Sequence, residues 1–136
     1  MPATETLELK RSYAESPQRV FEAWTRVDLL NRWFGCAKDK LWRVHAWEPH
    51  AGGKIHVSLD FDGTPFEVEG EFLVVDPPRR LTYRWNEDEE VDVTIEPHGS
   101  GSRLRLVHTF PATKDIRSFI TMGWSSALDA LSPVST

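Results

Sequence analysis

Hydrophobic and polar residues alternate near the start of the chain, between Thr6 and Tyr13. A period of two is typical of a strand with one buried face. The pattern then changes to helical spacing, with Ser16 as an N-cap and Pro17 at the first helical position. We therefore predict a strand, a helix, and a second short helix over Leu29–Trp33 that Asp28 would cap.

Short alternating runs divided by turn residues fill the chain from Leu41 to Phe110, after a predicted loop over Cys36–Lys40. Asp62-Gly63 is a strong hairpin signal, and Gly70 within a strand indicates a bulge or a close backbone approach. The acidic stretch Glu87–Glu90 is predicted to be a solvated loop. These signals predict about six antiparallel strands. The inner face of the strand after the hairpin is predicted to carry Phe66, Val68, Phe72 and Val74.

The last segment returns to helical spacing and forms one apolar stripe that Pro133 is expected to end. The stripe consists of Ile116, Ile120, Gly123, Trp124, Ala127, Leu128 and Leu131. A long helix laid across the concave face of a curved antiparallel sheet would bury both apolar surfaces. We therefore predict an α+β fold with about seven strands, two short helices and a long C-terminal helix.

Composition narrows the class of protein. The 136 residues suit one globular domain over residues 1–136, and the net charge of −5 argues against nucleic acid or anionic membrane as a partner. No apolar run reaches the roughly 18 residues of a membrane span. The N-terminus has no secretory h-region, so we expect a cytoplasmic protein. The single Cys36 cannot form an internal disulfide and has no activating histidine nearby in sequence.

The candidate catalytic and metal-binding residues do not form a recognisable motif. His45, His50 and His56 lie on separate predicted elements without ligand spacing, so we expect no metal and no other cofactor. Three carboxylates at alternate positions of one predicted strand, Glu67, Glu69 and Glu71, are expected to face water. His108 shares the parity of the inward leucines. It is either a core-edge histidine bonded to a neighbour, or a polar group for a ligand or a proton transfer.

Several strings, in this order, resemble one family. They are Ser16-Pro17-Gln18-Arg19-Val20-Phe21, Leu30-Asn31-Arg32-Trp33-Phe34-Gly35, Gly52-Gly53, Asp76-Pro77-Pro78 through Trp85, Ser102 to Leu106, and Gly123-Trp124. They look like the START-like (SRPBCC) proteins related to the activator of the heat-shock protein 90 ATPase. His50-Ala51 departs from the pattern, since many relatives carry an Arg before the glycine pair.

The resemblance implies a helix-grip fold with a cavity between the sheet and the long helix. Implied functions are binding of hydrophobic small molecules, cyclisation of aromatic polyketides, protection against toxic metabolites in a stress response, and assistance to a chaperone. Full-length chaperone activators carry an additional N-terminal domain. The fold alone does not choose among these functions.

The chain is rich in aromatic residues, with six Trp, seven Phe and two Tyr. An empty cavity of about 300 Å³ would cost about 7 kcal/mol, so the rings are expected to fill most of the interior. The candidate cavity residues are Phe21, Trp24, Trp33, Phe61, Phe72, Tyr83, Trp85, His108, Phe119 and Trp124.

Our leading hypothesis is non-catalytic binding of a small hydrophobic or aromatic molecule, by a monomer or a homodimer. A chaperone-interaction module that stimulates an ATPase is the second hypothesis. A cyclase or hydrolase that uses His108 or Tyr83 as acid or base is the third.

Overall fold

The computed structural model describes residues 3–37 and 39–134 of the chain. Within these residues the elements follow the predicted order of strand, helices, meander and long helix. The strands are β1 (Thr4–Tyr13), β2 (Gly35–Ala37), β3 (Lys40–Leu41), β4 (Arg43–Trp47), β5 (Lys54–Phe61), β6 (Thr64–Asp76), β7 (Arg80–Trp85), β8 (Glu89–His98) and β9 (Gly101–Pro111). The helices are α1 (Pro17–Thr25), α2 (Val27–Leu30) and α3 (Arg117–Val134).

Seven strands form one antiparallel sheet in the order β1-β9-β8-β7-β6-β5-β4. The first strand pairs with the last, from Thr4 opposite Pro111 to Tyr13 opposite Ser102. Helix α1 contacts β8 and β9, and α3 contacts β1 and the short strand β2. The inner face of the sheet is therefore covered by helices, as the apolar stripe of α3 predicts.

Several local predictions are confirmed. The Ser16 hydroxyl accepts a hydrogen bond from the backbone N–H of Arg19 at 3.3 Å, so it caps α1. Asp62 and Gly63 both have positive φ angles, 52° and 87°, as the tight turn between β5 and β6 requires. A Cβ atom on Gly70 would lie 2.0 Å from the carbonyl oxygen of Arg84, which confirms a close backbone approach.

Three strand predictions are wrong. The register of β6 shifts between Phe72 and Val74, so Val75 rather than Val74 packs against the core. The segment predicted as a loop over Cys36–Lys40 contains β2 and part of β3, which pair with each other, and the following strand begins at Arg43. Lys38 lies outside the described residues.

The acidic stretch Glu87–Glu90 is also not a solvated loop throughout. Glu89 begins β8 and is 6% exposed. It is buried because its parity in β8 is that of the inward residues Val91 and Val93, and because basic partners surround its carboxylate.

Two helix boundaries differ from the prediction. Helix α2 spans Val27–Leu30, with Asp28 in its first turn rather than at the cap. It ends early, and the following turn places the Trp33 indole N–H 2.9 Å from the carbonyl oxygen of Ala23, a buried tertiary hydrogen bond. Helix α3 continues to Val134, so Pro133 lies in its last turn, where a missing N–H removes a single hydrogen bond. No helix in the described part of the chain is long and apolar enough to cross a membrane.

Candidate functional site

A cleft of about 60 Å³ lies between α3, the β2–β3 segment and the end of β7. Its mouth includes Phe119, whose side chain is 37% exposed. The lining residues are Phe34, Gly35, Cys36, Trp42, Trp85, His108, Phe119, Ile120, Gly123 and Trp124. This volume would hold about two water molecules, so a ligand ring enters only if a side chain at the mouth moves.

The spacing of α3 explains why it forms one wall of the cleft. Phe119, Ile120, Gly123 and Trp124 recur at intervals of three and four residues, so they share one helical face. A Cβ atom on Gly123 would lie 3.6 Å from the Cα atom of Cys36. The absence of a side chain at this position therefore leaves the cleft slightly wider than an alanine would.

Phe34 forms the inner wall of the cleft. Its ring is 3% exposed and lies within 6.3 Å of five tryptophan rings, measured between centroids. These belong to Trp33, Trp42, Trp47, Trp85 and Trp124. Phe34 thus separates the cleft from the buried aromatic core beneath it.

The base of the cleft is polar and fully hydrogen-bonded. The Trp124 indole N–H donates to Nδ1 of His108 at 2.9 Å, and Nε2 of His108 lies 2.7 Å from Oε1 of Glu89. A proton on Nδ1 would face the indole proton, so the neutral ring carries its proton on Nε2 and donates it to Glu89. Both ring nitrogens of His108 are therefore engaged by protein groups.

Lys114 compensates the charge of the buried carboxylate. Its ammonium lies 2.8 Å from Oε2 of Glu89 and 2.7 Å from Asp88. Burial alone would raise the pKa of Glu89, but the hydrogen bonds from His108 and Lys114 outweigh burial and hold it below its ordinary value. Burial likewise opposes the charge of Lys114, yet its two carboxylate partners raise its pKa. Glu89 is thus an anion at neutral pH, behind the cleft and screened from it by His108.

The structure brings together only part of the predicted site. Trp85, His108, Phe119 and Trp124 line the cleft. Phe61 contacts the Phe119 ring at 6.1 Å without lining the cleft. Five of the predicted residues are instead packed in the core: Phe21, Trp24, Trp33, Phe72 and Tyr83. That any of the ten contacts a ligand stays a prediction.

Tyr83 is not placed to act as an acid or base toward a ligand in the cleft. Its side chain is fully buried, and desolvation raises the pKa of its hydroxyl. The hydroxyl has no hydrogen-bond partner among the described residues. It therefore stays protonated and does not line the cleft.

The sequence-based site missed the anion Glu89 behind the cleft and six residues of its lining: Phe34, Gly35, Cys36, Trp42, Ile120 and Gly123. Trp42 shares the parity of the partly buried Val44, and Phe34 follows directly on the buried Trp33. Glu89 would have been found by extending the alternation of β8 one step toward its start. For Trp42, Phe34 and Glu89 the sequence pattern indicated an inward position. Polar neighbours, or a strand that the prediction missed, obscured that pattern.

Within residues 3–37 and 39–134, no group of three or more His, Cys, Asp or Glu side chains is placed to hold a metal ion. His45 and His56 lie close together, with ring centroids 4.7 Å apart. They bond instead to Ser58 and Glu67.

The covered sheet, the two short helices and the long C-terminal helix are those of the α+β helix-grip fold, the fold of START-like proteins. Residues 14–134 match the family described as Activator of Hsp90 ATPase homolog 1-like protein, and the chain belongs to this family.

Solved structures agree on the fold. A Chromobacterium violaceum protein is 21% identical, with a TM-score of 0.85 and 96% of each chain covered. A Staphylococcus aureus protein of unknown function is 18% identical, with a TM-score of 0.83 over 98% of this chain and 94% of that one. An AHSA1-like protein from Aeromonas hydrophila is 20% identical, with a TM-score of 0.78 over 96% and 91% of the two chains. No curated protein matches the sequence.

Proposed function

We propose that the chain binds a small apolar, aromatic molecule in the cleft between α3 and the sheet, without covalent catalysis. The observation that carries this proposal is the composition of the cleft wall. Five of its ten lining residues are Phe or Trp, and the wall opens to the surface at one of them. Aromatic walls with a few fixed polar groups are typical of sites for small organic ligands.

Entry of a ligand requires movement at the mouth, because about 60 Å³ is less than half of the roughly 150 Å³ cavity that holds benzene. Phe119 is suited to this movement. It is partly exposed, and its ring contacts Phe61 and Phe66 at the tip of the β5–β6 hairpin, where Phe66 is 41% exposed. Rotation of one exposed ring exchanges few buried contacts, so a ligand ring could take its place over the cleft.

Catalysis by the predicted acid–base residues has less support. Both nitrogens of His108 are engaged, and Tyr83 is buried away from the cleft. A group that transfers protons must lie within hydrogen-bond reach of the reacting atom. We therefore place His108 as a polar group that orients Trp124.

The test uses N-phenyl-1-naphthylamine, a neutral dye that fluoresces in apolar surroundings. We expect saturable binding by the wild type and weaker binding by Trp85→Ala, since Trp85 forms part of the cleft wall. Leu73→Ala, 41% exposed and outside the lining, is the control and should change the affinity less. Absence of binding, or equal affinity of the wild type and Trp85→Ala, would overturn the proposal. Native mass spectrometry of freshly purified protein, followed by organic extraction, would identify a co-purified ligand.

Stimulation of a chaperone ATPase is the second candidate, because the family description names an activator of the Hsp90 ATPase. The surface of α3 supports it, since Phe119 and Met122 expose apolar side chains, 37% and 56%, to a partner. The assay is the steady-state ATPase rate of an Hsp90-type chaperone with and without the chain. A rate that does not change at saturating chain would remove this candidate.

A further inference from the structure

The six tryptophans differ in what their indole N–H groups bond to. Trp33 and Trp47 donate to the backbone carbonyls of Ala23 and Trp24, each at 2.9 Å, and Trp124 donates to His108. The N–H of Trp24 is buried in the core without an acceptor among the described residues. These four indoles are fully buried or bonded, and none of them offers a donor to the cleft.

Trp42 and Trp85 are the exception. Both line the cleft, both are only partly buried, and their rings meet edge to face with centroids 5.5 Å apart. Neither indole N–H bonds to any of residues 3–37 and 39–134. A ligand in the cleft therefore lies beside two indoles whose N–H groups are not engaged by any described residue.

The side-chain acceptor of the cleft is already in use. Nδ1 of His108 receives the Trp124 N–H, and Nε2 carries the proton donated to Glu89. A ligand that donates a hydrogen bond finds Nδ1 of His108 already occupied by Trp124. A ligand that accepts one has Trp42 and Trp85 available.

The charge of the site disfavours an ionised ligand. The described lining residues include no Lys, Arg, Asp or Glu, and burial raises the pKa of the Cys36 thiol, which keeps it neutral. A carboxylate would lose hydration without meeting a cation, and it would approach the buried anion Glu89 behind His108. The cationic partner Lys114 is committed to Glu89 and Asp88.

From this geometry we infer that the cleft selects a neutral aromatic molecule that carries a hydrogen-bond acceptor, such as a carbonyl oxygen. The indole N–H groups of Trp42 and Trp85 donate to this acceptor. This inference rests on the proposed ligand-binding function and narrows it to one chemical class. Two edge-to-face rings suit a planar molecule, since one ring stacks on it while the other meets its edge.

The test compares three probes of similar shape: acetophenone with a carbonyl acceptor, ethylbenzene with none, and benzoate with a charge. We expect acetophenone to bind about 2- to 10-fold more tightly than ethylbenzene, the effect of one net hydrogen bond, and benzoate to bind at least about 10-fold more weakly than acetophenone. Trp42→Phe and Trp85→Phe keep an aromatic ring but remove the N–H. Each should reduce the ratio of acetophenone affinity to ethylbenzene affinity measured on the same variant, a ratio in which the general loss of ring contact cancels.

Nitrogen-15 NMR of the indole groups gives a second readout that does not depend on any variant. Acetophenone should shift the Nε1–H resonances of Trp42 and Trp85 downfield more than ethylbenzene does. Trp33 and Trp47 are internal controls, since their N–H groups are bonded to backbone carbonyls.

The outcomes separate the inference from the proposed function. If acetophenone and ethylbenzene bind equally well, if benzoate binds as tightly as acetophenone, or if the two indole resonances do not respond, the inference is wrong although the cleft binds ligands. If none of the probes binds and N-phenyl-1-naphthylamine does not bind either, the proposed function itself fails.

Discussion

Replacing Phe34 with alanine should remove the ring that separates the cleft from the aromatic core. Enlarging the cleft from about 60 Å³ to the roughly 150 Å³ that holds benzene costs about 2 kcal/mol at ~24 cal/mol per Å³. The lost burial of a ring that is 3% exposed contributes about 1.5–3 kcal/mol more. We therefore expect Phe34→Ala to lower the free energy of unfolding by about 4 kcal/mol, within the ~3–5 kcal/mol range of Phe→Ala changes in cores.

The measurement is urea unfolding of the wild type and Phe34→Ala, each with and without benzene. Benzene at about 100 times its dissociation constant restores about 2.7 kcal/mol to a protein that binds it only when folded. We expect this recovery in the variant, where the ring has left a matching space, and a smaller effect in the wild type. Phe66→Ala removes the same ring from a site that is 41% exposed and should cost much less.

Either of two results would refute this reasoning. A loss below about 1 kcal/mol would mean that the surrounding tryptophans collapse into the space, so that Phe34 does not hold them apart. Equal stabilisation of the wild type and the variant by benzene would mean that the ring of Phe34 does not limit the space in the cleft.

Two further predictions concern α3 and the buried anion. Gly123→Ala should raise the free energy of unfolding by about 0.5–1 kcal/mol, since alanine favours the helix and its Cβ would lie at an ordinary contact distance of 3.6 Å from the Cα atom of Cys36. The same substitution should weaken dye binding, because the added methyl group narrows the cleft. A loss of stability in urea unfolding would contradict the placement of α3; Met122→Ala, 56% exposed, controls for surface effects. Glu89→Gln should cost about 1.5–3 kcal/mol at pH 7, because it removes a charged acceptor from His108 and Lys114. The pKa of Glu89 is lower in the folded state than its ordinary value of 4.5. The stabilisation that the ionised carboxylate provides is therefore complete above pH 4.5 and is lost as the pH falls below this value. The free energies of unfolding of the wild type and Glu89→Gln should therefore converge as the pH falls. A difference that stays constant from pH 7 to pH 3 would show that the ionisation of Glu89 does not contribute to stability. Glu87→Gln, exposed on the preceding turn, is the control.

The periodic parts of the sequence determined most of the fold. Alternation over β1, β5 and β8 and the stripe of α3 each extend over several repeats of one period, so each specifies a buried face without reference to the rest of the chain. Caps and turns behave the same way: Ser16 and Asp62-Gly63 act on backbone groups within a few residues. The inward position of His108 followed from the same parity rule, and it is confirmed by an exposure of 2%.

The site depended on contacts between residues distant in sequence. Phe34, Trp42 and Trp124 meet only because α3 folds back over β2, and no period along the chain encodes that meeting. The burial of Glu89 likewise required His108 and Lys114, 19 and 25 residues away, to compensate its charge. Local patterns decide which face of an element is buried, because that depends on its own side chains. Which polar groups satisfy one another within the core, and how much space the aromatic rings leave, is decided by tertiary packing alone.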